Sequence, residues 1–227
     1  MSRVVVVTGT DTDVGKTVVT AALAAVYAGQ GRSVCVVKPA QTGVAAHEPG
    51  DLTEVRRLAG PVTTVEPVRL PDPLAPDLAA RVAGVALPGL DEQRRVLAEA
   101  AASHDVVLVE GAGGVTVRLG EGWSLLELAG SLDPAMPVGV VVVARAGLGT
   151  LNHSVLTVQA LRAAGLAVRG LVLGSWPADP GLTERLNREE LPGLTGVPLL
   201  GAVPAGVPSL PPPEFRARAA TWFAALP

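Results

Sequence analysis

Residues 3–17 constrain the fold of this chain more than any other segment. Arg3-Val4-Val5-Val6-Val7-Thr8 is an almost continuous β-branched run, and it leads through Gly9-Thr10-Asp11-Thr12-Asp13-Val14 into Gly15-Lys16-Thr17. A strand with one wet face alternates apolar and polar residues; a continuous run is a strand buried on both faces, with helices on both sides of a parallel sheet. A helical pattern follows over 17–29, with Leu23, Val26 and Tyr27 on related faces and Gly29 and Gly31 to end it. Strand, loop and helix start in that order make a phosphate cradle, because the helix offers free N–H groups and the positive end of its dipole. Gly15 lets the backbone wrap close to phosphate, Lys16 reaches the β/γ-phosphates, and the Thr17 hydroxyl is placed to ligate Mg²⁺. The usual spacing puts a glycine five residues before Gly15; Thr10 stands there, with Gly9 displaced by one. The plainer reading is a polar loop that only joins strand to helix. The flanking strand and helix, with a glycine nearby, favour nucleotide binding.

The same pattern recurs along the chain. Apolar runs lie at Ser33–Val37, Asp105–Val109, Val138–Val143 and Val168–Leu173. Helices are expected over 91–103, which opens on acidic residues, and over 150–164, where Leu151, Val155, Val158 and Leu161 keep helical spacing and Gly165 follows as a stop. Strand–helix alternation predicts a doubly wound, mostly parallel α/β sheet. The proline-rich stretch 61–89 reads as an excursion with a short helix near 75–83, and the tail from 214 as a final helix carrying Phe215, Trp222 and Phe223. One domain over 1–227 is expected.

Charge and composition exclude some partners. A net charge of −3 and 3% aromatic residues leave neither a basic surface nor a stacking platform for nucleic acid. The single cysteine, Cys35, forms no intrachain disulfide, and the N-terminus runs directly into an apolar strand, so a cytoplasmic protein is expected. The longest uncharged stretch is broken by Pro192, Pro198, Pro204 and Pro208, so no membrane span is expected.

Charged residues at strand ends carry the chemistry. Glu110 ends the Asp105–Val109 run and precedes Gly111-Ala112-Gly113-Gly114. An acid there is the second metal-side element of phosphate-loop enzymes, and the glycines let N–H groups approach phosphate. Lys38 follows the second apolar run, so it is a second cation at the same sheet edge, suited to stabilising phosphoryl charge. Thr42 adds a hydroxyl nearby. Asp51 opens a helical stretch, either as an N-cap or as a further Mg²⁺ ligand. Asp11 and Asp13 stand open between binding a cation, a lysine or a substrate amine and ordinary turn chemistry. His47, His104 and His153 are scattered and show no zinc-like spacing.

Four segments, Gly9–Thr17, Lys38-Pro-Ala-Gln-Thr-Gly43, Val109-Glu-Gly-Ala-Gly-Gly114 and Leu148-Gly-Thr-Leu-Asn-His153, follow the order and spacing of the dethiobiotin synthetase family, which the chain resembles. The likeness continues more loosely to Leu200-Gly201-Ala202-Val203-Pro204. It implies a phosphate-loop NTPase fold and a ligase of biotin biosynthesis that makes dethiobiotin from 7,8-diaminononanoate (7,8-diaminopelargonate), CO₂ and ATP. It further implies that Asp13, Val14, Gly15, Lys16, Thr17, Val18, Glu110, Gly111, Ala112 and Gly113 hold the nucleotide. Gly174, Ser175, Pro204, Ala205 and Gly206 belong to the base end. Thr17, Asp51 and Glu110 face Mg²⁺, Lys38 and Lys16 are catalytic, and Thr42 touches the diamine or its carbamate. Gly149, Thr150, Leu151 and Asn152 take the substrate carboxylate across a homodimer interface; the plainer reading of that segment is a helix start capped by Thr150. Gly174-Ser175 departs from the family's Asn-Asp, whose asparagine reads adenine, so relaxed base choice and use of other triphosphates such as CTP are expected. Two alternatives remain. One is an amidoligase of corrinoid synthesis, disfavoured by length and by the lack of a reactive cysteine. The other is a partitioning-type ATPase switch, which would carry an early lysine where Thr10 stands.

Overall fold

The computed structural model describes residues 3–133 and 136–227. Seven parallel strands form one sheet: β1 (Arg3–Gly9), β2 (Val34–Val37), β3 (Thr63–Val65), β4 (Val106–Gly114), β5 (Val138–Ala144), β6 (Val168–Trp176) and β7 (Leu199–Pro204). Their spatial order is β3-β2-β4-β1-β5-β6-β7. The helices are α1 (Lys16–Gly29), α2 (Asp51–Ala59), α3 (Pro76–Ala83), α4 (Leu90–Ser103), α5 (Leu125–Gly130), α6 (Thr150–Ala163), α7 (Leu182–Thr195) and α8 (Pro212–Ala219).

Period-2 geometry sends successive valines of β1 to opposite faces. Val5 and Val7 join one core with α1, α2 and α8; Val4 and Val6 join the other with α4, α6 and α7. Each fully buried valine contributes roughly 1.5–3 kcal/mol, whereas an exposed ion pair such as Arg94–Asp91 or Arg218–Glu214 contributes about 0–1. Burial on both faces therefore dominates, as the continuous apolar runs require.

The structure extends and corrects the sequence reading in places. β4 does not stop at Val109: Glu110 to Gly114 remain in the strand, and Gly114 pairs with Gly9 of β1. The excursion contains an edge strand, β3, paired with β2. α5 and α7 are not expected from the sequence pattern. α5 is set by a capping box in which Ser124 Oγ accepts from the Leu126 N–H (3.1 Å) and Glu127 Oε2 accepts from the Ser124 N–H (2.7 Å). α7 carries Pro192 inside it, which obscures its helical pattern. In the tail, Phe215 is fully buried and meets Trp222 edge-on at 4.9 Å.

Strand order positions the site. The chain leaves β1 toward β2 on one side and passes from β4 to β5 on the other, so the carboxyl ends around β1 face a crevice. The segments after β1 and β2, together with the end of β4, all open there.

Candidate active site

A cleft of about 470 Å³ lies at these strand ends, and the residues lining it include Lys16, Thr17, Lys38, Thr42, Asp51 and Glu110. Glu110 is fully buried within β4, four residues before its end. Its Oε1 accepts from the Thr17 hydroxyl (2.8 Å) and from Lys38 Nζ (2.9 Å). Lys38 Nζ also lies 2.6 Å from Asp51 Oδ2, so one ammonium bridges two carboxylates brought from β4 and α2. Lys16 Nζ donates to the Asp11 carbonyl (2.8 Å).

The two lysines differ in electrostatics. Burial is the largest influence on Lys38 and lowers it, but the charges of Glu110 and Asp51 and their hydrogen bonds together outweigh it and hold Lys38 above the ordinary lysine value. Burial likewise lowers Lys16; the charge of Glu110 opposes it, that of Lys38 adds to the fall, and Asp51 and Asp13 do not restore it. Lys38 is therefore a fixed cation, and Lys16 the more readily deprotonated one.

The loop is shaped for an anion. α1 begins at Lys16 with Gly15 as N-cap, no side chain capping it and no acid in its first turn, so its N–H groups are free to meet phosphate. Gly15 adopts φ 94°, and a Cβ there would lie 2.6 Å from the Gly174 carbonyl oxygen, so only glycine fits. A divalent cation also fits: Glu110 Oε2 is buried without a hydrogen-bond partner, beside the Thr17 hydroxyl. Among the described residues, no group of three or more His, Cys, Asp and Glu could hold a metal. A cation here would draw on Thr17 and the carboxylates together with a ligand's phosphates.

The structure places both loop acids. Asp11 does both things: its Oδ1 accepts from the Thr12 N–H (2.8 Å), a turn bond, and its Oδ2 pairs with Arg145 (2.6 Å) beyond the end of β5. Asp13 sits at φ 56°, a left-handed turn conformation that aspartate tolerates. Asp51 is not an N-cap; Gly50 holds that position and the Asp51 carboxylate points to Lys38. Thr150 is not a cap either, since Gly149 at φ 92° precedes it and Thr150 is the first helical residue.

Other expected residues fall outside this cleft. Val14 is buried in the core and Val18 packs against it, so Val14 has only its backbone to offer a phosphate. Gly174 and Ser175 lie in β6, Pro204 ends β7, and Ala205 and Gly206 follow it; none of them lines the cleft, although Gly174 touches the loop from behind. A Cβ at Gly174 would lie 2.0 Å from the Val14 carbonyl oxygen, so this backbone has no room for an asparagine there. Gly149 to Asn152 open α6, also outside the cleft. Gln41, Thr12 and Val44 line it and were missed from sequence. Gln41 lay inside a motif already singled out, but a buried amide has no signature of its own. The signal for Arg145 was its place just beyond a strand end.

A family model described as an AAA domain matches residues 3–212. The ATP-dependent dethiobiotin synthetase BioD of Rhodococcus jostii is 57% identical over 222 residues, covering 97% of this chain and 94% of that protein. The protein of the same name from Streptomyces coelicolor is 53% identical, covering 97% and 92%. Among solved structures, the septum site-determining protein MinD of Pyrococcus horikoshii, complexed with Mg-ADP, matches with a TM-score of 0.63 at 20% identity, covering 98% of this chain and 93% of that one. The cell division protein FtsY of Thermotoga maritima matches with a TM-score of 0.56 at 19% identity, covering 96% and 68%. These structural likenesses establish the phosphate-loop fold alone, and the switch-type alternative has only this distant support. Matched over nearly its full length at more than half identity, the chain belongs to the ATP-dependent dethiobiotin synthetase family.

Proposed function

We propose that this protein is a ligase of biotin biosynthesis. It closes the ureido ring of dethiobiotin from 7,8-diaminononanoate, CO₂ and ATP. The observation that carries the reading is the ammonium of Lys38 held between Glu110 and Asp51, facing a phosphate loop across one cleft. A diamine carbamate and a triphosphate are both anions, and bringing them together needs fixed cations.

In this reading one substrate amine adds to CO₂ and loses a proton, giving a carbamate. The carbamate oxygen attacks the γ-phosphorus and the nucleoside diphosphate leaves. The second amine then attacks the carbonyl carbon, closing the five-membered urea as phosphate departs and the proton is lost. The substrate supplies both nitrogens, so no protein nucleophile is required. Lys16 and the loop N–H groups hold the phosphates, and Lys38 stabilises charge on the phosphoryl oxygens during transfer, where positioning and charge do most of the work. Thr42 orients the diamine or its carbamate. Thr17, Asp51 and Glu110 would hold Mg²⁺, which when bound neutralises phosphate charge.

The chain works as one domain in a homodimer in the cytoplasm. α6 starts without a side-chain cap and without acids in its first turn, which suits the carboxylate of a diamine bound mainly by the neighbouring subunit. Leu148, 88% exposed just before α6, supports burial against a second copy. With no base-reading side chain at Gly174, base recognition falls to the backbone of Pro204, Ala205 and Gly206 and to Ser175. Other triphosphates such as CTP are therefore accepted beside ATP.

Mass spectrometry tests the reading. Protein is mixed with diamine, ¹³C-bicarbonate, Mg²⁺ and ATP, CTP, GTP or UTP separately. A labelled cyclic urea is expected with ATP and at least one other triphosphate. Phosphate release without labelled urea from any of them would sink the ligase reading, and urea from ATP alone would remove the relaxed base choice.

A further inference from the structure

Gln41 is a neutral, buried side chain (4% exposed) in the cleft that also holds Lys16, Lys38, Asp51 and Glu110. Both ends of its carboxamide are engaged. Oε1 accepts from the Asp51 N–H (2.9 Å), and Nε2 donates to the Thr42 carbonyl (3.0 Å). The first bond is supplied from outside the helix. α2 has Gly50 at its N-cap and no capping side chain of its own, and Gln41 satisfies the N–H of its first residue, one of the donors that a helix start leaves without an intrahelical partner. The second bond fixes the residue that presents the Thr42 hydroxyl.

The backbone of Gln41 is itself anchored. Its N–H donates to Val68 (2.9 Å) and its carbonyl accepts from Leu70 (2.8 Å). Arg69, between those two, reaches back to the Glu48 and Ala45 carbonyls and pairs with Glu66. Glutamine suits this place for a physical reason. A glutamate would add a carboxylate next to Asp51 in a cleft that already holds Glu110, and would lose the donor that Thr42 receives.

We infer that Gln41 is a positioning residue. Its one carboxamide holds the loop presenting Thr42 and the helix start presenting Asp51 in register. The organic-substrate side and the nucleotide–cation side of the cleft are thereby set together. The inference rests on the ligase reading for the identities of the two ligands.

Two independent variants test it. Gln41→Met keeps length and apolar volume but removes both bonds. Gly50→Ala leaves Gln41 in place and pushes its carboxamide: a Cβ at Gly50 would meet Arg69 Nη2 at 2.9 Å and Gln41 Oε1 at 3.0 Å, both ends of side chains. Gly50 has φ −105° and ψ −171°, which alanine adopts freely, so the fold should survive. Calorimetric titration with 7,8-diaminononanoate, and separately with Mg²⁺ and the β,γ-imido analogue of ATP, reads the two sides. Both affinities are expected to fall roughly tenfold in each variant. A lowered melting temperature with both affinities unchanged would assign Gln41 a merely structural role and overturn the inference. Loss on one side alone would overturn the bridging. If wild-type protein binds no diamine, the ligase reading fails and this inference with it. If wild type binds diamine and the variants bind equally well, only this inference fails.

Discussion

Lys38 shows how much one side chain carries here. Its charge is compensated by Glu110, which is fully buried, and by Asp51, which keeps contact with water. Lys38→Ala leaves Glu110 buried without its cation, and removing one partner of such a pair costs roughly 3–5 kcal/mol. Urea unfolding should show that loss, and turnover of the still-folded variant should fall by at least about 10²-fold. Unchanged turnover would remove Lys38 from the chemistry. The pH behaviour follows from the direction of each shift. The folded protein holds the Lys38 proton more tightly than the unfolded chain does, so that stabilisation is complete below the ordinary value of 10.5 and is lost only as pH rises through the higher folded value. Lys16 is shifted the opposite way, by burial first. A basic limb in kcat/KM, which reports the free protein, should therefore belong to Lys16 and not to Lys38. Lys38, Glu110 and Thr42 were legible as chemistry because each follows or ends an apolar run. Gln41 was not, because its role depends on which N–H and which carbonyl the fold places beside it.

Among the elements, the contact between β6 and the phosphate loop decides most. Gly174 presses on Val14 and Gly15 so closely that no side chain fits between them. Gly174→Ala should force the loop backbone to shift, lowering stability by roughly 1–3 kcal/mol. Binding of Mg²⁺ with ATP should weaken as well, measured by calorimetry beside a denaturant titration; unchanged nucleotide affinity would refute the coupling. Sequence comparison presented Gly174 as a missing base contact. The structure adds that it is a packing contact, a distinction invisible until β6 and the loop are seen to touch. The long apolar strands and α1, α4 and α6 were readable from periodicity to within a few residues. β3, three residues long and half exposed, has too little burial to leave a pattern, and α7 hides its pattern behind Pro192.

For the molecule as a whole, the residues expected to hold the far carboxylate, Gly149 to Asn152, lie outside the cleft that holds Lys38, and the proposed homodimer would have to bring those of a second copy to it. Mixing tests this. Lys38→Ala disables one half of the site, and Asn152→Asp places a repelling carboxylate in the other. Each variant alone should be nearly inactive, and subunit exchange should restore about a quarter of wild-type activity, since half the dimers then carry one intact site. No recovery on mixing would confine the site to one subunit. The sequence was sufficient for what short-range physics encodes: strands buried on both faces, a helix opening behind Gly15-Lys16-Thr17, and charged residues at strand ends. Strand order has no local code. It alone brings Lys38 to Glu110 across 72 positions, Arg145 to Asp11 across 134, and Gly174 against Val14. Those contacts exist because burying both faces of the sheet settles which strands are neighbours, and side chains distant in the chain then share one crevice.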